Sequence, residues 1–130
     1  MPTSVVRRAV AAVLDGEGSG PAAVTVTFLT ASRMRTLNRR SLGRDRATDV
    51  IAFRLSHGTV LLGDIYICPA QARAAARAFE IPEREELVRL VVHGTLHVLG
   101  FDHPAGRRRV ESPMWRRQER YVRRLVRREA

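Results

Sequence analysis

The sequence predicts an α+β fold of about four short strands and about five helices. Two observations support this class: several segments repeat apolar residues at helical spacing, and shorter segments are rich in β-branched residues, with glycine and proline between them. With 130 residues, 45% of them hydrophobic, the chain can bury a core without disulfides. No repeat or linker divides it, so residues 1–130 are predicted to form a single domain.

Five segments are predicted to be helices because apolar residues recur every three or four positions. In the second of them, Met34, Leu37 and Leu42 are expected to point inward. Gly100 is a natural stop for the fourth, since glycine readily takes the left-handed conformation that ends helices. Ser112 suits the N-cap of the last. The helices span residues 3–14, 31–42, 69–79, 82–99 and a segment that begins at Ser112.

The predicted strands are short and rich in β-branched residues. Residues 24–30 alternate apolar and polar side chains, so one face of this strand is expected to be buried. Gly63-Asp64 interrupts the apolar run of residues 60–68, which therefore predicts one or two strands. Cys68 at its end is expected to be a small buried hydrophobe. With residues 50–53, these segments predict a small sheet.

The charge of the chain favours a polyanionic partner. The net charge is +10, and all 23 basic residues are arginines. Because arginine can bind a phosphate with two parallel hydrogen bonds and stack on exposed bases, nucleic acid is the favoured partner. The alternative is that the arginines reflect a nucleotide bias and ordinary solvated helix faces.

The chain is expected to act in the cytoplasm without contacting a membrane. Its N-terminus lacks the apolar core of a signal peptide. No run approaches the ~20 apolar residues that a membrane span needs. The single cysteine excludes an internal disulfide and a zinc cluster of thiolates.

Three of the four histidines fall within the eleven residues from His93 to His103. His93 and His97 lie four apart on a predicted helix, so both imidazoles face one side. A turn at Gly100 can bring His103 back to the same point. Three neutral imidazoles would hold one zinc ion and leave a fourth position for water, which is typical of catalytic zinc. The alternative is a coincidental spacing; His57 stands apart and is interpreted as a surface residue.

The spacing of these histidines is also the one that metzincin proteases use. Those enzymes need a glutamate directly after the first ligand as general base. This chain has Gly94 there, and glycine cannot accept a proton, so peptide hydrolysis is the weaker hypothesis. Asp102 could act as a base, but it is expected to shape the turn or to hydrogen-bond a histidine.

The histidine motif and several upstream segments resemble the YbeY family of bacterial ribosomal RNA maturation factors over about three quarters of the chain. A glycine after the first histidine makes this motif highly specific. The matching segments are Leu37-Asn38, Arg44-Asp45, Thr48 to Phe53, Leu62 to Ile65, Gln71-Ala72, Glu86-Leu87, His93 to His103, Met114 and Gln118-Glu119.

The resemblance implies both a fold and an activity. The implied fold is a small mixed β-sheet packed by helices, with the metal-binding helix beside a basic cleft. The implied activity is a zinc-dependent, single-strand-specific endoribonuclease. Such a protein would take part in 3′ maturation of small-subunit ribosomal RNA and in ribosome quality control, and would associate with the ribosome or its small-subunit proteins.

One departure from the family pattern concerns the cleft. The family places an aromatic residue and a functionally important arginine where this chain has Ser41 and Leu42. The neighbouring Arg39, Arg40 and Arg44 are therefore the predicted RNA-contacting residues. No catalytic base is assigned.

Several interpretations remain open from the sequence. Asp45, Thr48 and Asp49 are expected to brace the cleft wall, and the triplet 107–109 could add phosphate contacts. A zinc metalloprotease-like hydrolase and a non-catalytic ribosome-assembly factor are the alternative functions. Three imidazoles also accept nickel or copper.

Overall fold

The computed structural model describes residues 1–56, 58–103 and 106–129, without the side chains of residues 106, 107, 128 and 129. His57 and the side chain of Arg107, both considered above, lie outside this description. Within it, no helix has the length and apolar character needed to cross a bilayer. The elements are α1 (Thr3–Gly16), β1 (Ala22–Phe28), α2 (Ala31–Leu42), β2 (Val50–Arg54), β3 (Leu61–Ile67), α3 (Pro69–Phe79), α4 (Glu83–Val98), a 3-10 helix (Gly106–Glu111) and α5 (Pro113–Glu129).

The α+β class and the five α-helices are confirmed, and the sheet is mixed. Its strand order is β1-β3-β2. β1 runs parallel to β3, with Val26 opposite Ile65, and β2 runs antiparallel to it, with Ala52 opposite Ile65. The described residues form three strands rather than about four, because residues 61–67 make one continuous strand.

Gly63 lies in the middle of β3 and does not interrupt the strand. Because it has no side chain, it allows α4 to pack closely against the sheet. A Cβ at Gly63 would lie 2.4 Å from Val98 Cγ1 on α4. Helix α4 therefore approaches the sheet closely. It also contacts α1, α3 and α5, and ten of its sixteen residues are buried. This helix is the centre of the fold.

Two hydrophobic clusters hold the elements together. The larger lies between α1, α4, α5 and the sheet and includes the fully buried Ile65 and Leu96. The smaller joins Met34 of α2 to Ile51 of β2 and to Cys68. Cys68 is fully buried, as the sequence predicts.

Two local predictions are wrong, one at the beginning of α2 and one at its end. β1 ends at Phe28 rather than at residue 30, because the Thr30 side chain caps α2 and accepts a hydrogen bond from Arg33 N. Leu42, predicted to point inward, is 49% exposed. The helix ends there, and Gly43 turns the chain away in the left-handed conformation.

The Gly63→Ala substitution is expected to destabilise the protein by about 1–3 kcal/mol, because the new methyl group would overlap Val98. Urea unfolding measures this change. Gly58→Ala is the matched control, since a Cβ there meets nothing within 4 Å, and should change stability by less than about 0.5 kcal/mol. Adding Val98→Ala to Gly63→Ala should cost less than the two single effects together. Strict additivity would contradict the contact.

Candidate metal centre

The structure brings His93, His97 and His103 together at the C-terminal end of α4. Their ring centroids are separated by 4.6, 5.1 and 5.1 Å. One possible ligand nitrogen from each ring lies within 4.8 Å of the other two. This group could hold one metal ion.

The turn after α4 brings the third histidine to the first two. Gly100 has a φ of 103°, and its N–H donates to the His97 carbonyl at 2.9 Å. The Asp102 carboxylate then accepts a hydrogen bond from the backbone N–H of His103 at 2.8 Å. In this structure Asp102 therefore shapes the turn, one of the two roles expected for it.

Gln118 of α5 orients the first histidine. Its side-chain N–H donates to Glu119 Oε2 at 3.0 Å, so the amide oxygen faces His93 Nδ1 at 2.6 Å. An acceptor at Nδ1 places the ring proton there and leaves the lone pair of Nε2 available for a metal. Such support of a ligand histidine is common around bound metals.

A partly buried ion-pair network supports Gln118 in turn. Arg89 donates to both carboxylate oxygens of Glu119 at 2.9 Å and to Glu86 Oε1 at 3.0 Å. Burial alone would raise the pKa of Glu119, but the hydrogen bonds from Arg89 and Gln118 lower it. Burial raises the pKa of Glu86 despite its bond to Arg89. Glu119 is thus held as an anion that accepts from Gln118.

His93 and His97 are favoured in the neutral form that metal binding requires. Burial lowers the pKa of His93 to about 4, although the hydrogen bond with Gln118 opposes this. Burial also lowers the pKa of His97, and the charge of a protonated His103 would lower it further. At neutral pH both rings present lone pairs without first losing a proton.

A cleft of about 820 Å³ lies beside the histidines. Three carboxylates, Asp49, Glu86 and Asp102, and four arginines share its lining. Arg89 is 16% exposed and already paired, whereas the other three are exposed. The lining arginines are Arg44, Arg46, Arg89 and Arg109.

The structure separates the three arginines predicted to contact RNA. Arg44 lines the cleft, whereas Arg39 and Arg40 are exposed outside that lining. Arg39 Nη1 lies 3.6 Å from Asp45 Oδ1, and Arg35 binds the same carboxylate at 2.8 Å. The hydrogen bond from Arg35 lowers the pKa of Asp45. Asp45 braces α2 against the following loop, while Thr48 and Asp49 do line the cleft.

The rim of the cleft carries exposed apolar side chains, and of these the sequence connects only Leu42 with the cleft. Leu42, Phe79 and Val110 are 49%, 70% and 50% exposed. Trp115 also lines the cleft, and the guanidinium carbon of Arg109 lies 5.7 Å from the centre of its ring. The cleft thus offers cations and flat apolar surfaces together.

The sequence alone predicts no role for Gln118, although it contains a signal for one. It shares the buried face of α5 with Met114, Val122 and Leu125, and it is itself 1% exposed. A polar side chain on an apolar helix face needs a polar partner. The partner, His93, lies 25 residues away in sequence, so local patterns do not identify it.

Gly94, directly after the first histidine, faces the sheet and not the cleft. A Cβ at this position would lie 2.7 Å from Ile65 Cγ2. A longer side chain would therefore enter the core beneath α4. The helix has no room for the general base of metzincin proteases at this position.

Comparisons with known proteins give one consistent result. The family model described as Endoribonuclease YbeY matches residues 3–126. A relative of that name from Chlorobium phaeovibrioides is 31% identical over 95% of this chain and 82% of its own. Another from Alkalilimnicola ehrlichii is 39% identical over 80% of this chain and 67% of its own. A solution structure of a Thermotoga maritima protein matches with a TM-score of 0.63 and 28% identity, over 96% of this chain and 84% of that one.

The Gln118→Leu substitution is expected to weaken the binding of a metal ion at this candidate site, probed with Zn²⁺, 10- to 100-fold, because it removes the acceptor that orients His93. Competition with a chromophoric chelator measures the affinity. Thr95→Val is the matched control, since it removes a buried hydrogen bond to the Val91 carbonyl on the same helix and should leave zinc affinity unchanged. Equal affinities for the two variants would show that Gln118 has no such role.

The metal-free protein should lose stability as the pH falls from about 6.5 to about 4. The unfolded state gains a proton on His93 near its ordinary pKa of 6.5, whereas the folded state gains it only near 4. This difference corresponds to roughly 3 kcal/mol, fully present above pH 6.5. Thermal unfolding across this range in a chelator measures it. His93→Asn should flatten the profile, and an unchanged slope would refute the assignment.

Proposed function

The chain belongs to the YbeY family, and from this premise we propose that it is a zinc-dependent endoribonuclease specific for single-stranded RNA. The observation that supports this most strongly is the convergence of three histidines inside a cleft lined by exposed arginines. In this proposal the RNA is ribosomal, and the protein matures the 3′ end of the small-subunit RNA in the cytoplasm. It contacts the ribosome or small-subunit proteins there, and it serves ribosome quality control.

The donor set fits zinc. His93, His97 and His103 supply three nitrogens, and the hydrogen bond from His93 Nδ1 directs its other nitrogen toward the shared site. When bound there, zinc supplies Lewis acidity toward a phosphate oxygen and acidifies a water ligand. Three protein ligands leave a position open for substrate, as catalytic rather than structural sites do.

The side chains of the cleft bind and orient the strand. Arg44, Arg46 and Arg109 are exposed along the lining and offset the charge of the scissile phosphate and its neighbours. Phe79 and Trp115 offer surfaces on which unpaired bases can stack. This combination favours a single strand, since the bases of a duplex stack on one another and not on protein.

The packing of Gly94 argues against peptide hydrolysis. A Cβ at this position would overlap Ile65, so position 94 cannot carry a base beside the first histidine. Asp102 is the carboxylate next to His103 in sequence, and it accepts a hydrogen bond from the His103 N–H within the turn. RNA hydrolysis is favoured because the arginines are suited to a phosphodiester.

One observation favours the non-catalytic alternative, a ribosome-assembly factor. Leu42 occupies the position at which the family pattern has a functionally important arginine, and it lines the cleft. The cleft therefore lacks one cation that the family pattern places there. Arg44 and Arg46, on the adjacent loop, supply cations to the same lining and keep catalysis the favoured proposal.

Incubation with labelled single-stranded RNA and with casein distinguishes these functions. The zinc-loaded protein should cut the RNA, leave the casein intact and lose cleavage at least about 100-fold with His97→Ala, since the metal would lose a ligand. Degraded casein would support a protease. Zinc binding without any cleavage would support the assembly factor.

The Leu42→Arg substitution is expected to raise RNA cleavage roughly 10-fold, because it adds a cation to the cleft lining. The rate under single-turnover conditions measures the effect. Leu55→Arg is the matched control, since Leu55 is an exposed leucine outside that lining, and the substitution adds the same charge. Equal gains from both variants would mean that net charge alone is responsible.

A further inference from the structure

Helix α5 has two faces of opposite character. The face toward the core carries Met114, Gln118, Tyr121, Val122 and Leu125, all buried. At 100° per residue, five exposed arginines fall within about 100° on the opposite face. We call them the α5 arginine stripe: Arg116, Arg120, Arg123, Arg124 and Arg127.

The charge of the stripe is poorly compensated. Elsewhere on the surface, Arg35 pairs with Asp45 and Arg73 pairs with Glu83. Within the described ranges, by contrast, none of Arg120, Arg123 and Arg127 forms an ion pair. The stripe therefore presents a concentrated positive potential.

Two carboxylates beside the stripe are already in use. Glu119, on the same helix, binds Arg89 and Gln118, although Arg123 also attracts it and helps to lower its pKa. Glu85 lines a shallow groove with Arg123 and Arg127, but it pairs with Arg89 at 3.2 Å. Neither carboxylate is free to neutralise the stripe.

The geometry of the stripe suits an extended polyanion. Arg116 to Arg127 spans about 16 Å along the helix, so the charges form a row and not a pocket for one anion. An anionic membrane is a poor partner, because the apolar face of α5 is buried in the core and cannot enter lipid. Repeated phosphates of a nucleic acid backbone match a row of guanidinium groups.

The stripe is continuous with the cleft. Trp115 lines the cleft, and Arg116 follows it on the exposed face of the same helix. Arg116 is oriented by its hydrogen bond to the Glu111 carbonyl at 2.7 Å. A strand that leaves the cleft beside Trp115 would meet the stripe at its first arginine.

We propose that the α5 arginine stripe is a second RNA-binding surface, which binds the phosphate backbone of a strand extending out of the cleft. The identity of the polyanion as RNA rests on the proposed function. The stripe adds affinity without sequence preference, since it contacts phosphates and not base edges. Tight binding therefore requires an RNA long enough to contact both the cleft and the stripe, a requirement that the cleft alone does not impose.

Fluorescence anisotropy with a 20-nucleotide single-stranded RNA tests the proposal. The stripe variant is Arg120→Gln/Arg123→Gln/Arg127→Gln, and the matched control, Arg33→Gln/Arg54→Gln/Arg77→Gln, removes three exposed arginines from other surfaces outside the cleft lining. Both are made in the whole 130-residue chain carrying His97→Ala, so that the RNA stays intact. Binding is measured across a range of salt concentrations and against a tetranucleotide.

The stripe variant should bind the 20-mer at least 10-fold more weakly than the control, and its slope of log affinity against log salt should fall by roughly 2. Affinity for the tetranucleotide should not change. Equal losses in both variants, or none in either, would overturn the proposal. So would stripe-dependent binding to anionic phospholipid vesicles without binding to RNA. RNA cleavage by the unsubstituted chain is measured separately. If that chain cuts no RNA but its stripe still binds RNA, the proposed function is refuted and the proposal for the stripe is not.

Discussion

The close packing of α4 against β3 is the constraint on which the rest of the structure depends. Gly63 and Gly94 lie at this interface, one from each element, and a methyl group on either would overlap Val98 or Ile65. Once this side of α4 is fixed against the sheet, His93 and His97 can only face the cleft. The turn at Gly100 then needs few residues to bring His103 to them. Two of the three histidines are thus positioned by the core, and the third is positioned by the turn that follows α4.

The sequence predicts what depends on local pattern. Apolar periodicity predicts the helices. The spacing of one helical turn between His93 and His97, together with Gly100 at the end of that helix, predicts the grouping of the three histidines. Local pattern does not predict the number of strands, because Gly63 serves to pack β3 against Val98 of a later helix and does not interrupt the strand. The spacing of Leu42 within α2 predicts an inward side chain, but the helix ends at that residue and leaves it exposed. Arg46 and Phe79 could not be assigned to the cleft, since only the tertiary fold brings their elements to it.

Helix α5 contributes to the site in two physically different ways. Gln118 and Glu119 act through a buried network in which Arg89 offsets the charge of the carboxylates, so their effect is local and little screened by salt. The arginines on the opposite face act through water, and their effect weakens as salt rises. The buried face of one helix thus supports the proposed metal site, and its exposed face supports the proposed RNA affinity. The two functions can be altered independently.

X-ray absorption spectroscopy of the purified zinc-loaded protein identifies the atoms that surround the metal. The account predicts one zinc ion per chain with three imidazole nitrogens at about 2.0–2.1 Å and a light-atom ligand from solvent or substrate. His97→Ala should reduce the imidazole count. Loss of zinc from the unsubstituted protein during gentle purification, or a shell without histidine nitrogens, would contradict the account.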